Sequence, residues 1–151
     1  MLAGMDEAGP HLSMLAVRAM EARLGFKLPQ DYANFMLAYN GGRPVPNGFP
    51  IQGLENNPVG ALQVFFGVGL SAESCDVEWN YALFAEDGIK KFLPIACTGC
   101  GDIICLVVAG ESKGAVVLWD AHVEAETPVA DRIYPVAEDF TAFLQTLAEL
   151  P

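Results

Sequence analysis

The sequence predicts a single α+β domain spanning residues 1–151, in which an N-terminal helix pair, a middle helix and a C-terminal helix pack against a mainly antiparallel sheet. Three observations lead there. Helical periodicity appears at both ends and once in the middle, apolar runs of strand length lie between, and Gly-rich turns join those runs as hairpins. With 151 residues and 52% hydrophobic content the chain is long and apolar enough to bury a core without disulfides or metals. No internal repeat or long linker divides it, and residues 1–9 are expected to form a flexible start.

Leu12, Leu15, Ala16, Ala19, Met20 and Leu24 keep helical spacing, which predicts a first helix over 10–24 stopped by Gly25. A second helix follows within a few residues, so the two should form an antiparallel or sharply angled pair. Pro29 suits its first position, where a fixed φ fits and no N–H is needed. Asp31 in the first turn complements the helix dipole. Tyr32, Phe35, Met36 and Tyr39 form one apolar stripe at i, i+3, i+4 and i+7. Asn40-Gly41-Gly42 then offers a left-handed closing residue.

From 43 to 58 Pro, Gly and Asn punctuate turns, leaving one short strand over 49–54. The run 61–68, with Leu62, Val64, Phe65, Phe66 and Val68 between Gly60 and Gly69, predicts a strand central in the sheet. Ser71 is placed to cap a helix reaching residue 86, with Val77, Tyr81 and Phe84 inward and Gly88 as its stop. Runs 103–108 and 115–119 flank the turn-rich Ala109-Gly110-Glu111-Ser112-Lys113-Gly114, the pattern of a hairpin. A last strand over 132–136 and a closing helix with Phe140, Phe143, Leu144 and Leu147 on one face complete the chain.

Charge narrows the function. The formal net charge is −11, and all of it lies downstream: residues 1–48 hold four acids and four bases, residues 49–151 fifteen acids and four bases. Such a field repels nucleic-acid phosphates and anionic lipid and attracts basic partners, although solubility alone also accounts for it. The first residues lack a basic n-region, and no apolar run approaches the ~20 residues needed to span a bilayer. The expected location is the cytoplasm, with the four cysteines reduced.

Residues that could carry chemistry are few, and each has a structural alternative. Cys97-Thr98-Gly99-Cys100 has the spacing of a redox dithiol or half a zinc site, but it precedes a strand rather than a helix, and Cys75, Cys105, His11 and His122 supply no second ligand pair. Small cysteines in a turn is the simpler reading. Gly99-Cys100-Gly101-Asp102 leads into a strand, unlike a phosphate loop, and reads as an Asp-containing turn. For His122, Cys105 and Asp120 supply the residue types of a nucleophile and an orienting acid, yet nothing in the spacing supports such a set and no nucleophile motif occurs. Trp79 and Trp119 are candidate interface anchors or core residues. Glu73, Asp76, Glu78, Glu86 and Asp87 crowd the middle helix without a base, as a solvated face or a docking surface for a basic protein.

Several segments together carry a family pattern. Leu28-Pro29, Tyr32, Phe35 and Asn40-Gly41-Gly42 are followed in order by Leu93-Pro94-Ile95-Ala96 with Gly101-Asp102, by Val116-Val117-Leu118-Trp119-Asp120, and by Val136-Ala137 with Phe140, Phe143 and Leu144. This series resembles the SUKH superfamily, which includes yeast cell-wall assembly regulators and bacterial immunity proteins of polymorphic toxin systems. The resemblance implies the same α+β fold and a non-enzymatic protein-binding role: an immunity protein that neutralises a cognate basic toxin, a nuclease or deaminase, with no cofactor or metal. The partner-binding candidates are then Glu73, Asp76, Glu78, Trp79, Glu86, Asp87, Trp119 and Asp120. A regulatory scaffold like the yeast relatives is the alternative, and a thiol enzyme using Cys97 and Cys100 a distant third. The family usually has a small or polar turn where this chain has Cys97-Thr98-Gly99-Cys100, so no role is carried over to that turn.

Overall fold

The structure, a computed structural model, describes residues 1–51 and 59–150. In chain order its elements are β1 (Gly4–Asp6), α1 (Met14–Leu24), α2 (Gln30–Ala38), β2 (Arg43–Val45), β3 (Gly48–Pro50), β4 (Val59–Phe65), α3 (Val77–Glu86), β5 (Phe92–Thr98), β6 (Ile103–Val107), β7 (Val116–Trp119), β8 (Ile133–Ala137) and α4 (Phe140–Thr146). Short 3-10 turns occupy Glu73–Cys75 and Val129–Asp131. Among the described residues β3 to β8 form an antiparallel meander in sequence order, and β1 pairs with β2 in a separate ribbon. The expected α+β class is the observed one.

Strand alternation divides the apolar residues between two cores, because successive side chains point to opposite faces of a sheet. On β6, Ile104 and Leu106 join the main core, while Cys105 and Val107 join a smaller cluster. The main core takes Tyr32, Phe35 and Met36 from α2 and Phe140 and Phe143 from α4 against Leu62, Phe65 and Leu118 of the sheet. Its centre is aromatic: the Phe35 ring lies 4.9 Å from both Phe65 and Phe140, and Tyr32 lies 5.1 Å from Phe140. The smaller cluster is closed by Phe84 of α3 and by Ile89 just beyond it.

Local chemistry fixes the helix ends. Ser13 Oγ accepts from Ala16 N–H at 3.1 Å, and Gly25 closes α1 at φ 89°. Glu21 Oε2 accepts from Leu28 N–H at 2.8 Å, which ties α1 to the entry of α2. Asp31 reaches further than its own helix: its Oδ2 accepts from the Thr141 N–H at 3.0 Å, while Asp139 Oδ1 accepts from Ala142 N–H at 2.7 Å. Two carboxylates thus satisfy the first turn of α4.

Several expectations are corrected. On α1 the buried residues are Val17 and Met20, and Leu15 is 80% exposed; the helix buries only a narrow strip, so the broader stripe overshoots. Asn40-Gly41-Gly42 does not close α2 in a left-handed cap, since the helix ends at Ala38 and Tyr39 is extended at φ −141°. The stretch expected as loop contains β2, the 49–54 strand begins as β3, and residues 52–54 lie outside the described residues. β4 ends at Phe65 rather than residue 68, and Gly60, expected as its boundary, sits inside it. A Cβ there would meet the Phe49 ring at 2.5 Å. Ser71 caps no helix; Asp76 does, after the 3-10 turn. The strand β5 was not anticipated, because Pro94 interrupts its pattern, and a register shift between Pro94 and Ala96 accommodates that residue. Residues 1–9, expected as a flexible start, contain β1, hydrogen-bonded to β2.

Candidate protein-docking surface

Among the described residues, helix α3 is held by one face and open on the other. Asp76 caps it, with Oδ1 accepting from Trp79 N–H at 3.0 Å and Oδ2 from Gly69 N–H at 3.2 Å. Val77 is fully buried, the Tyr81 hydroxyl donates to Lys90 O at 2.9 Å, and the Phe84 ring lies 4.9 Å from Trp119. The face pointing away carries Trp79, 40% exposed, and Leu83, 44% exposed, one turn apart. Glu86 and Asp87 follow in the same direction, both exposed, and the last turn contains no base.

The other acids expected to bind a partner are divided in role. Glu73 is exposed on the 3-10 turn. Glu78 is paired with Arg23 of α1 through two hydrogen bonds of 2.8 and 2.9 Å, and this pairing raises the arginine pKa. Asp76 is occupied by the cap. Trp119 is 6% exposed, in the smaller core beneath the Arg132 guanidinium, which lies 4.9 Å from its ring. Asp120 Oδ1 accepts from His122 N–H at 2.8 Å in a local turn. The structure therefore gathers Trp79, Glu86 and Asp87 on one accessible face and sets Asp76, Glu78, Trp119 and Asp120 into supporting contacts.

The family-motif residues build the frame. Leu28 and Phe35 are buried with Tyr32, whose hydroxyl finds no partner among the described residues; burial pushes its pKa up. Pro29 stands just before α2 as its N-terminal flank. Asn40 is the central polar node: its Nδ2 donates to Pro10 O and Val68 O, both at 2.9 Å, and its Oδ1 accepts from Val68 N–H at 2.7 Å. Gly41 and Gly42, at φ 72° and 124°, carry the chain from this node into β2 in conformations that favour glycine. Asp102 follows Gly101 in the turn before β6 and accepts from Ala121 N–H at 3.0 Å, linking two neighbouring turns. His122 Nε2 donates to Cys100 O at 2.8 Å in the same place.

The thiols do not assemble a reactive site. Cys97 is half-buried, and burial raises its pKa, the opposite of thiolate activation. Cys105 is buried and raised more strongly, Cys100 is exposed, and all four cysteines are free. Among the described residues no three His, Cys, Asp or Glu side chains converge on a metal position. Cys75 and Cys97 share an open groove of about 890 Å³ with Gln63, Asn80 and Ile103. Sequence reasoning missed both this groove and the exposure of Leu83. The second was recoverable, because Leu83 is four residues from Trp79 and off the Val77–Tyr81–Phe84 stripe.

Comparison with curated proteins gives no match. The family model described as SMI1 / KNR4 family (SUKH-1) matches residues 12–146, which takes in every helix and all the strands from β2 to β8. A match over that much of the chain establishes the relationship that the Leu28–Pro29, Asn40–Gly41–Gly42 and Gly101–Asp102 signatures pointed to, and the chain belongs to the SMI1 / KNR4 (SUKH-1) family.

Proposed function

We propose that this chain is an immunity protein: a non-catalytic domain that binds a basic toxin protein in the cytoplasm and neutralises it. The observation that carries the reading is the distribution of charge. Residues 49–151 hold fifteen acids against four bases. Among the described residues of that stretch, Glu78 is the one carboxylate in an ion pair with Lys or Arg. The remaining carboxylates leave a negative surface suited to a protein whose own surface is positive, as that of a nuclease must be to hold nucleic acid. Membership in the SUKH-1 family supports the protein-binding character, and the raised Cys97 thiol favours binding over thiol chemistry.

A second reading, a regulatory scaffold, draws on the yeast cell-wall regulators of the superfamily. The two part at neutralisation. Co-expression of this chain with a candidate basic toxin, a nuclease-like or deaminase-like protein sought in the adjacent reading frames, should restore growth that the candidate alone suppresses. Growth arrest that persists at full expression of both proteins contradicts the immunity reading, and a stable complex with an active partner favours the scaffold.

A further inference from the structure

Resting on the reading of this chain as a binder of basic protein, we propose that the outer face of α3 is the docking site and that its occupant is a cationic amphipathic segment of the partner. An apolar side chain of that segment seats against Trp79 and Leu83, and its Lys or Arg side chains meet Glu86 and Asp87. The inner face of α3 is committed to the fold through Val77, Tyr81 and Phe84. Among the described residues the outer face is unpartnered. Two large apolar side chains lie there one turn apart, 40% and 44% exposed, and one is tryptophan, the residue type most enriched at binding hot spots.

Charge complementarity selects the occupant. A helix C-terminus carries partial negative charge from its unpaired carbonyls, which favours Lys, Arg or His there. α3 instead ends in Glu86 and Asp87, with no base in its last turn. Neither carboxylate forms an ion pair among the described residues, although Lys90 and Lys91 are only a few residues away. This arrangement works against the free helix. It becomes favourable when a cation arrives from outside, because that cation then meets two carboxylates and the helix end together. Glu73 is exposed beyond the opposite end of the same helix, so acids bracket the apolar pair on both sides. An anionic segment is repelled by this face, and a neutral one leaves Glu86 and Asp87 as they are.

The test uses two synthetic helical peptides with the same leucine stripe, one with a lysine polar face and one with a glutamate polar face, titrated into the isotope-labelled full chain. The lysine peptide should shift the Trp79 indole and the amides of 79–88, and the glutamate peptide should leave them in place. The double substitution Glu86→Lys and Asp87→Lys should weaken lysine-peptide binding by about tenfold or more. It should also raise the thermal midpoint, since lysine suits a helix C-terminus. Leu83→Ser, at a side chain 44% exposed and off the inner stripe of α3, should fold normally and bind more weakly. Shifts elsewhere on the protein, equal binding of both peptides, or undiminished affinity of the double variant would overturn the docking site. Growth protection separates this proposal from the broader one: full protection by the double variant overturns the α3 site and leaves neutralisation standing. Peptide shifts on α3 without protection by the parent chain overturn neutralisation alone.

Discussion

Asn40 holds the N-terminal segment, the exit of α2 and the chain beyond β4 together with one side chain. It makes three hydrogen bonds in a setting where it is 2% exposed, so none is replaced by solvent when it is removed. Asn40→Ala should cost about 3 kcal/mol, because each buried group left unpaired carries a desolvation penalty. Asn40→Asp should fail as well, since a carboxylate cannot donate to the Pro10 and Val68 carbonyls. Urea titration of both variants checks this, and a loss below about 1 kcal/mol for each would assign the node elsewhere. Cysteine reactivity is decided at the same scale. Alkylation followed by mass spectrometry should modify exposed Cys100 first, half-buried Cys97 more slowly, and Cys105 only on unfolding, as burial raises the pKa of the last two. Early modification of Cys105 would show that the smaller core opens readily.

Among the elements, α2 and α4 are the structural pair, and α3 is the one to which the docking proposal gives a presenting role. Phe35 and Phe143, in the apolar stripes of α2 and α4, lie in the aromatic centre. Truncation of either to Ala should cost on the order of 3 kcal/mol. Asp76→Ala should cost about 1 kcal/mol by removing the cap of α3, so a charge reversal at Glu73, Asp76 and Glu78 together would confuse lost binding with a loosened helix. A denaturation midpoint unchanged by Asp76→Ala would contradict the capping role. The structural helices were legible because their inner faces repeat with helical period, and the same held for the β6–β7 hairpin with its Gly-rich turn. β5 was hidden by Pro94, and the true cap of α3 by the 3-10 turn, which shifts the helix start from Ser71 to Asp76. The roles of Asp76, Glu78 and Trp119 depend on Gly69, Arg23 and Arg132, contacts that sequence spacing does not encode. The acidic end of α3 was visible in the sequence and Trp79 was open as anchor or core, but its exposure and their shared face needed the helix phase fixed by Val77, Tyr81 and Phe84.

At the scale of the whole molecule the proposed function rests on the negative field of residues 49–151. Such a field extends beyond any single contact and would act on a basic partner before the surfaces meet. The measurement that bears most directly on this is the association rate of the chain with a basic toxin of the kind the immunity proposal assigns to it, followed as ionic strength rises. Between about 0.01 M and about 0.15 M salt the Debye length falls from about 30 Å to about 8 Å. Steered encounter between this acidic surface and a basic partner should then slow by about tenfold or more, with a much smaller change in the dissociation rate. An association rate that stays flat over that range would contradict the account, because the charge would then be serving solubility rather than recognition.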